Sequence, residues 1–344
     1  VQRQNNMSNK QGSKATYIFK KREFGIFVFI VVLLAIFGAI EPRFFRSDNL
    51  SAILSSVGIL MVVGAGQTLV IVTRNIDLSV GSTLGLSAMV MGMVARSNPE
   101  FSTVGLILIS MFVGGLCGLL NGLLVSYGKI PSIIATLGTL AIIRGAVFIV
   151  SDNVQIDPND VPQAIIDLST TSPIGIPWLL IFAFISITLV WYISSQTLLG
   201  KRIYAVGSNP EGAISRGLSF NRITILVFVF LGVLAGVGGV LYTARYATIN
   251  PADVGRGLEF DVISAVVIGG TNIFGGSGTA LGTALGCLLI GILSNGLTVV
   301  GVSPFWKACA TGFLILLAVT VDNVVRRKQE QKFLLAIRNQ GPGK

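Results

Sequence analysis

The residue types that usually perform catalysis are scarce in this chain. It contains no histidine, which excludes an imidazole-based triad, an HExxH zinc site and a histidine proton relay. No GxxxxGK[ST] pattern occurs, so the sequence has no P-loop for ATP hydrolysis. Cys117, Cys287 and Cys309 lie in apolar runs without the spacing of metal ligands, and we interpret them as packing residues. We therefore expect no catalytic residue, no metal and no cofactor.

The most polar stretch within an apolar region is TRNIDLSVGS at residues 73–82. Its aspartate is expected either to cap the following helix or to line a hydrophilic path at a helix break. A later apolar segment contains an arginine, for which Asp77 is a candidate partner. The polar side chains inside the apolar segments that could line such a path are Gln67, Asn75, Asp77, Ser79, Ser82, Asn121, Thr136, Thr139, Arg144 and Asn295. Each neutral member also fits a structural role as a helix–helix hydrogen bond.

A second polar stretch, LGKRIYAVGSNPEGAISRG at residues 199–217, contains both end signals of a short helix. Asn209 suits the N-cap, Pro210 the first helical position and Glu211 the positive helix end, while Gly217 suits the termination. This pattern predicts a helix of about two turns outside the apolar segments. A plain connector is the alternative, but two terminal signals on so short a helix favour a docking element for a cytoplasmic partner.

The composition places these segments in a lipid bilayer. Of 344 residues, 52% are hydrophobic and 12% charged, and the mean hydropathy is +0.79. Soluble domains contain roughly 25% charged residues, so this chain lacks the charge to cover a surface in water. We predict an all-α polytopic bundle of about ten spans, including broken or short helices. The predicted spans are 24–40, 52–72, 79–95, 104–126, 130–150, 177–195, 223–244, 261–271, 279–299 and 305–321.

The eighth span is too short to cross a bilayer without help from its neighbours. The first span follows a basic stretch, but it lacks a good cleavage site and is interpreted as a retained span. These boundaries predict a transmembrane domain at 24–322 between basic tails at 1–23 and 323–344.

Charge distribution predicts the orientation. The net charge is +10, and each tail holds six Lys or Arg residues beside the first or last apolar segment. Residues 151–176 contain four aspartates and no Lys or Arg, whereas residues 196–222 contain four basic residues and one glutamate. Because cytoplasmic loops carry excess Lys and Arg, both tails and residues 196–222 are expected to be cytoplasmic.

Glycine recurs at four-residue spacing inside the predicted spans, where it allows close helix approach. The ladders are Gly278, Gly282 and Gly286; Gly232 and Gly236; and Gly114 and Gly118. Residues 75–85 also match residues 272–282 at several positions, which leaves internal duplication and chance as equal alternatives.

Together, these residues resemble the ribose/xylose/galactose-type ABC transporter permeases of the branched-chain permease superfamily. The similarity is specific in NIDLSVGS at 75–82, in the 200–217 pattern of glycine, alanine and asparagine, and in IATLGT at 134–139 followed by RG at 144–145. GLEFD at 257–261, GGT at 269–271 and GGSG at 275–278 extend it over about residues 25–322. The TRNID form is similar to autoinducer-2 and some rhamnose-type members, without identifying the solute.

The resemblance implies a dimeric membrane pore in the bacterial inner membrane, formed with a second permease copy or a paralogue. It implies two cytoplasmic ATPase subunits and a periplasmic or lipid-anchored sugar-binding protein as partners, and no nucleic acid. The short helix would then be a coupling helix that fits a groove of the ATPase. Its candidate residues are Asn209, Glu211, Ala213, Ile214, Arg216 and Gly217, with Ile214 as the apolar anchor.

Two other classes of protein are less compatible with the residues. An ion-driven secondary transporter would need carboxylates or histidines within its spans, and the predicted spans contain almost none. A membrane scaffold or receptor would have no clear use for the 209–217 helix or the polar breaks.

Overall fold

The computed structural model describes residues 23–170 and 176–303, together with positions 305, 306, 309–313, 316 and 320. Within these ranges the regular structure is helical, and the prediction of an all-α fold is confirmed. Ile156 and Ile249 form an isolated antiparallel bridge outside any strand. The predicted tails, apart from residue 23, lie outside the described residues.

Helices of widely different length make up the described part of the chain. In chain order they are α1 (Glu23–Ile40), α2 (Ser47–Val72), α3 (Val80–Ser97), α4 (Thr103–Ser126), α5 (Ser132–Ser151), α6 (Gln163–Ile166), α7 (Trp178–Gln196), α8 (Leu198–Ser208), α9 (Pro210–Ser215), α10 (Phe220–Tyr246), α11 (Leu258–Ile268) and α12 (Ala280–Val299).

Seven of the described helices are long and apolar enough to cross a membrane: α1, α2, α4, α5, α7, α10 and α12. Helix α3 has sufficient length but contains several Gly, Ser and Thr residues and Arg96, and it does not belong to that set. Helix α11 has only 11 residues, as the sequence indicated, although it begins at Leu258 and not at residue 261. The described positions from 305 to 320 are helical and lie in the predicted tenth span. The chain is therefore a polytopic membrane protein, and ten is an approximate count of its spans.

Helix α2 forms the centre of the bundle, and most of its side chains are buried. It packs against α7, α10, α11 and α12, while α10 also packs against α3 and α4. Helices α1, α4, α5 and α7 keep large apolar side chains exposed on their outer faces. In water such faces would be unfavourable, whereas lipid tails or a second membrane chain can cover them.

The glycine ladders lie where helices touch backbone to backbone. A Cβ atom added at Gly114 would overlap the carbonyl of Gly232, and one added at Gly232 would overlap the carbonyl of Gly114. Gly282 and Gly286 approach the carbonyls of Gly269 and Ala265 in the same manner. The predicted close contacts are therefore confirmed for α4 with α10 and for α11 with α12.

The segment between α5 and α7 is more ordered than its polar sequence indicated. Ile156 and Ile165 are fully buried, and Ile156 exchanges backbone hydrogen bonds of 3.1 and 3.0 Å with Ile249. Helix α6 and the short 3₁₀ turn Asp167–Ser169 pack against α10. A few isoleucines among the aspartates anchor the segment on the bundle.

Two helix breaks meet at one end of the bundle, beside α8. The first break is residues 73–79 between α2 and α3, and the second is residues 269–279 between α11 and α12. They touch directly, since the Gly276 amide donates to the Val72 carbonyl at 2.9 Å. The segments that match in sequence, residues 75–85 and 272–282, overlap these breaks. Duplication and chance stay equal alternatives for the match.

Candidate translocation path and coupling surface

A buried polar network surrounds the first break. Both the backbone amide and the hydroxyl of Ser79 donate to Asp77 Oδ1 at 2.7 Å. The Asn121 amide nitrogen on α4 lies 3.2 Å from Asp77 Oδ2 and 2.7 Å from the Ser79 hydroxyl. From α5, the Thr139 hydroxyl donates to Asn121 Oδ1 at 2.7 Å. The network thus joins the break to α4 and α5 in a region from which water is excluded.

Further side chains satisfy the irregular backbone of the first break. The Leu78 amide donates to the Thr136 hydroxyl, and the Ile76 amide donates to the Ser132 hydroxyl, both at 3.1 Å. Gln67 donates through Nε2 to the Asp77 carbonyl at 3.3 Å. Irregular backbone at membrane depth requires such partners, because lipid offers none. These side chains therefore stabilise the broken segment inside the protein.

Two expectations about Asp77 need correction. The N-cap of α3 is Ser79, and the Asp77 carboxylate accepts the amide of Ser79 itself, not a free amide within the helix. Arg144 is not its partner, because Arg144 donates through Nη1 to the Val254 carbonyl at 2.7 Å. The short polar residues near the break satisfy the carboxylate and leave no need for a distant arginine.

The predicted path residues therefore fall into separate groups. Gln67, Asp77, Ser79, Asn121, Thr136 and Thr139 are buried and hydrogen-bonded around the break. Ser82 and Arg144 line a cavity beside α5, Asn75 lines a cavity at the α8 end, and Asn295 lines a third cavity on α12. The structure does not bring all ten together around a single opening.

The cavity beside α5 has a volume of about 340 Å³ and is called the mid-helix cavity. It is lined by Ser82, Leu140, Arg144, Phe148, Ala252, Arg256 and Glu259. Leu140 and Arg144 lie near the middle of α5, and the segment between α10 and α11 supplies Ala252 and Arg256. Sequence reasoning missed Arg256 and Glu259, although the GLEFD pattern contained the glutamate.

The third cavity, of about 310 Å³, lies among α2, α10, α11 and α12. Arg245 donates to the Ser56 hydroxyl and lies over the ring of Tyr246, with 5.1 Å between the guanidinium carbon and the ring centroid. Asp261 and Asn295 line the same cavity. Sequence reasoning identified Asn295 and missed the other polar members, because Arg245 stands at the end of an apolar span.

The predicted coupling helix is present as α9, which is shorter than the 209–217 expected. Asn209 caps it by accepting from the Gly212 amide at 3.0 Å, and Gly217 follows it with a positive φ of 80°. Ala213 is buried against the bundle, whereas Ile214 is 57% exposed. Glu211 and Arg216 are exposed as well. The helix therefore presents an apolar side chain, flanked by charges, that the described part of the chain leaves uncovered.

Sequence reasoning missed helix α8, which precedes α9 and contacts both breaks. Arg74 of the first break donates to the carbonyls of Gly207 and Ser208 at 2.5 and 2.7 Å. The Tyr204 hydroxyl donates to the Gly278 carbonyl of the second break at 2.7 Å, and burial raises the pKa of this phenol. Displacement of α8 would therefore act on both breaks through short contacts.

Among the residues that the structure describes, no three His, Cys, Asp or Glu side chains form a group that could hold a metal ion. Cys117 and Cys287 are buried and free, which agrees with their interpretation as packing residues, whereas Cys309 is exposed.

Comparisons with known proteins identify the family. The model described as "Branched-chain amino acid transport system / permease component" matches residues 49–319. The ribose import permease protein RbsC of Escherichia coli (strain K12) is 35% identical over 303 residues, which cover 86% of this chain and 91% of that protein. No solved structure matches the chain.

Two further relatives have other solutes in their names. The D-allose transport system permease protein AlsC of Escherichia coli (strain K12) is 33% identical over 311 residues, covering 89% of this chain and 93% of that protein. The autoinducer 2 import system permease protein LsrC of Photorhabdus luminescens is 33% identical over 312 residues, covering 90% and 92%. The resemblance to sugar-type permeases is confirmed, and the chain belongs to the branched-chain amino acid transport system / permease component family.

Proposed function

We propose that this protein is the permease subunit of an ATP-binding-cassette importer that carries a monosaccharide or a similar small polyol. The observation that carries the proposal is the exposed Ile214 on α9, adjoining α8, which contacts both breaks. A partner that moves α8 and α9 would thereby act on the broken helices within the bundle. The names of the relatives support a sugar or sugar-like solute.

The partners follow from this role. Two cytoplasmic ATPase subunits would supply the energy, and a periplasmic or lipid-anchored binding protein would deliver the solute. A second permease copy or a paralogue would cover part of the exposed apolar surface and complete the pore. The bacterial inner membrane, with α8, α9 and both termini on the cytoplasmic side, is the orientation that the Lys and Arg distribution favours.

The ten predicted path residues acquire different proposed roles. Ser82 and Arg144 would contact the solute path, because they line the mid-helix cavity. Gln67, Asp77, Ser79, Asn121, Thr136 and Thr139 would form a sealed layer that opens when the breaks move. Asn75 and Asn295 would lie toward the two ends of the path, since their cavities are at the α8 end and on α12.

Reconstitution into liposomes tests the function. The permease is combined with its proposed ATPase and binding-protein partners, and uptake of labelled ribose, allose and autoinducer 2 is measured with and without ATP. We expect accumulation only with ATP and all partners, and no ATP hydrolysis by the isolated chain. The ion-driven alternative is tested by adding ionophores. Accumulation that persists without ATP and collapses with ionophores would establish that alternative.

A further inference from the structure

We propose that the mid-helix cavity is a binding station for solute hydroxyl groups, with Glu259, Arg144 and Arg256 as its contacts. The inference rests on the proposed import function and adds the residues that recognise the solute within the membrane. Glu259 is only 7% exposed, and its Oε2 atom has no hydrogen-bond partner within the described part of the chain. A buried carboxylate oxygen without a donor is costly, so a group that donates to it is expected.

The residues of the cavity favour a neutral hydroxylated ligand. A carboxylate is an acceptor only and a guanidinium is a donor only, whereas a hydroxyl group both donates and accepts. A cation would be repelled by Arg144 and Arg256, and an anion that approached these arginines would also meet Glu259, whereas a neutral hydroxyl meets no like charge. Neighbouring hydroxyls of one sugar can donate to the carboxylate and accept from the arginines at the same time. A polyol therefore satisfies both kinds of side chain.

The charged lining of the cavity is a poor match for lipid tails. Charged side chains within membrane spans are costly in hydrocarbon and are found facing water or protein. Arg144, near the middle of α5, is such a side chain and lines the cavity. The cavity is therefore expected to border water or protein, which is where a passing solute would meet it.

Neighbouring backbone shapes the pocket around the carboxylate. A Cβ atom at Gly81, in the first turn of α3, would overlap Glu259 Oε2 and the Gly255 carbonyl. One at Gly85 would lie 3.6 Å from Arg144 Nη1 and 2.8 Å from the Val254 carbonyl. Because these two glycines have no side chains, the Glu259 carboxylate and the Arg144 guanidinium both have room beside α3.

The test compares the Glu259→Gln variant with wild type in the reconstituted importer. The probes are ribose or allose, whichever wild type accumulates, and the monodeoxy analogues of that sugar. Hydrogen bonds to a charged group support an expected loss of roughly 10- to 100-fold in uptake at low solute concentration. Glu100→Gln, at an exposed position, is the matched control and should import like wild type.

The analogues separate direct contact from a structural role. If Glu259 binds one hydroxyl of the sugar, wild type should take up the analogue that lacks this hydroxyl less well than the parent sugar. Glu259→Gln should take up that analogue and the parent sugar equally well, because the shared contact is already absent. Additive losses for every analogue, or normal uptake by Glu259→Gln, would overturn the binding station while leaving the import function intact. Failure of wild type to import any probe with ATP would instead refute the proposed function.

Discussion

Arg74 of the first break donates through Nε to the carbonyl of Gly207 near the end of α8, and the two atoms are 2.5 Å apart. A second bond reaches the Ser208 carbonyl at 2.7 Å. Arg74 has a φ of 66°, in the left-handed region that residues other than glycine rarely adopt. The side-chain contacts offset this unfavourable backbone conformation. They also place a positive charge beside the last carbonyls of α8, where the helix dipole favours it.

Replacing Arg74 should separate ATP hydrolysis from uptake. In Arg74→Gly the backbone keeps its positive φ without strain, while the side-chain contacts with α8 and with Gly275 of the second break are lost. We expect normal expression and continued ATP hydrolysis in the reconstituted complex, with uptake per ATP reduced by about tenfold or more. Lys201→Ala, an exposed substitution on α8, serves as the control. Unchanged uptake per ATP in Arg74→Gly would show that this contact does not transmit motion.

The buried network around Asp77 should make a large contribution to stability. Asn121→Leu keeps a similar volume but removes the donor to Asp77 Oδ2, which leaves a buried carboxylate oxygen poorly satisfied. We expect a loss of about 1–3 kcal/mol in the free energy of unfolding, or more if the carboxylate remains charged. The midpoint of thermal unfolding in detergent should fall accordingly.

Thr139→Val provides the comparison for that variant, since it removes only one neutral hydroxyl from the same network. Its midpoint should lie between those of wild type and Asn121→Leu. The reverse order would mean that the carboxylate gains little from Asn121 and that another group satisfies it.

Single cysteines should report the orientation of the chain. In a Cys309→Ser background, Ser215→Cys and Asn159→Cys place thiols at exposed positions on α9 and in the segment between α5 and α7. A membrane-impermeant maleimide applied to spheroplasts should label residue 159 and spare residue 215 until the membrane is opened. Labelling in the opposite order would invert the proposed topology.

The long spans could be predicted from sequence because each depends on local composition. Helix α12 was expected at 279–299 and is observed at Ala280–Val299, since about 20 apolar residues are sufficient to specify a span. Helix α8 was missed because its alternation of glycine, charge and apolar residues has no such signature. Its position depends on distant groups, among them the Gly278 carbonyl that Tyr204 contacts.

The candidate site was predictable in residue type but not in arrangement. Asp77 and Asn121 were identified as polar groups inside apolar segments, yet their contact joins positions 44 residues apart. Glu259 was part of a recognised pattern without a role, because only the fold brings it and the nearby Arg256 to Arg144. Periodicity and spacing describe one helix at a time, whereas a cavity depends on which helices are neighbours.

The exposed isoleucine of α9 leads to the last prediction. Ile214 is 57% exposed, while Ala213 beside it packs against the bundle, so a substitution at 214 should leave the permease fold intact. Ile214→Asp would place a charge without a partner at the proposed apolar contact with the ATPase, at a cost of about 2–5 kcal/mol. We expect normal expression and normal permease association, with loss of ATPase co-purification and of uptake in cells. Ile214→Leu keeps the apolar contact and should retain both. If Ile214→Asp also retains both, α9 is a plain connector and the coupling surface lies elsewhere.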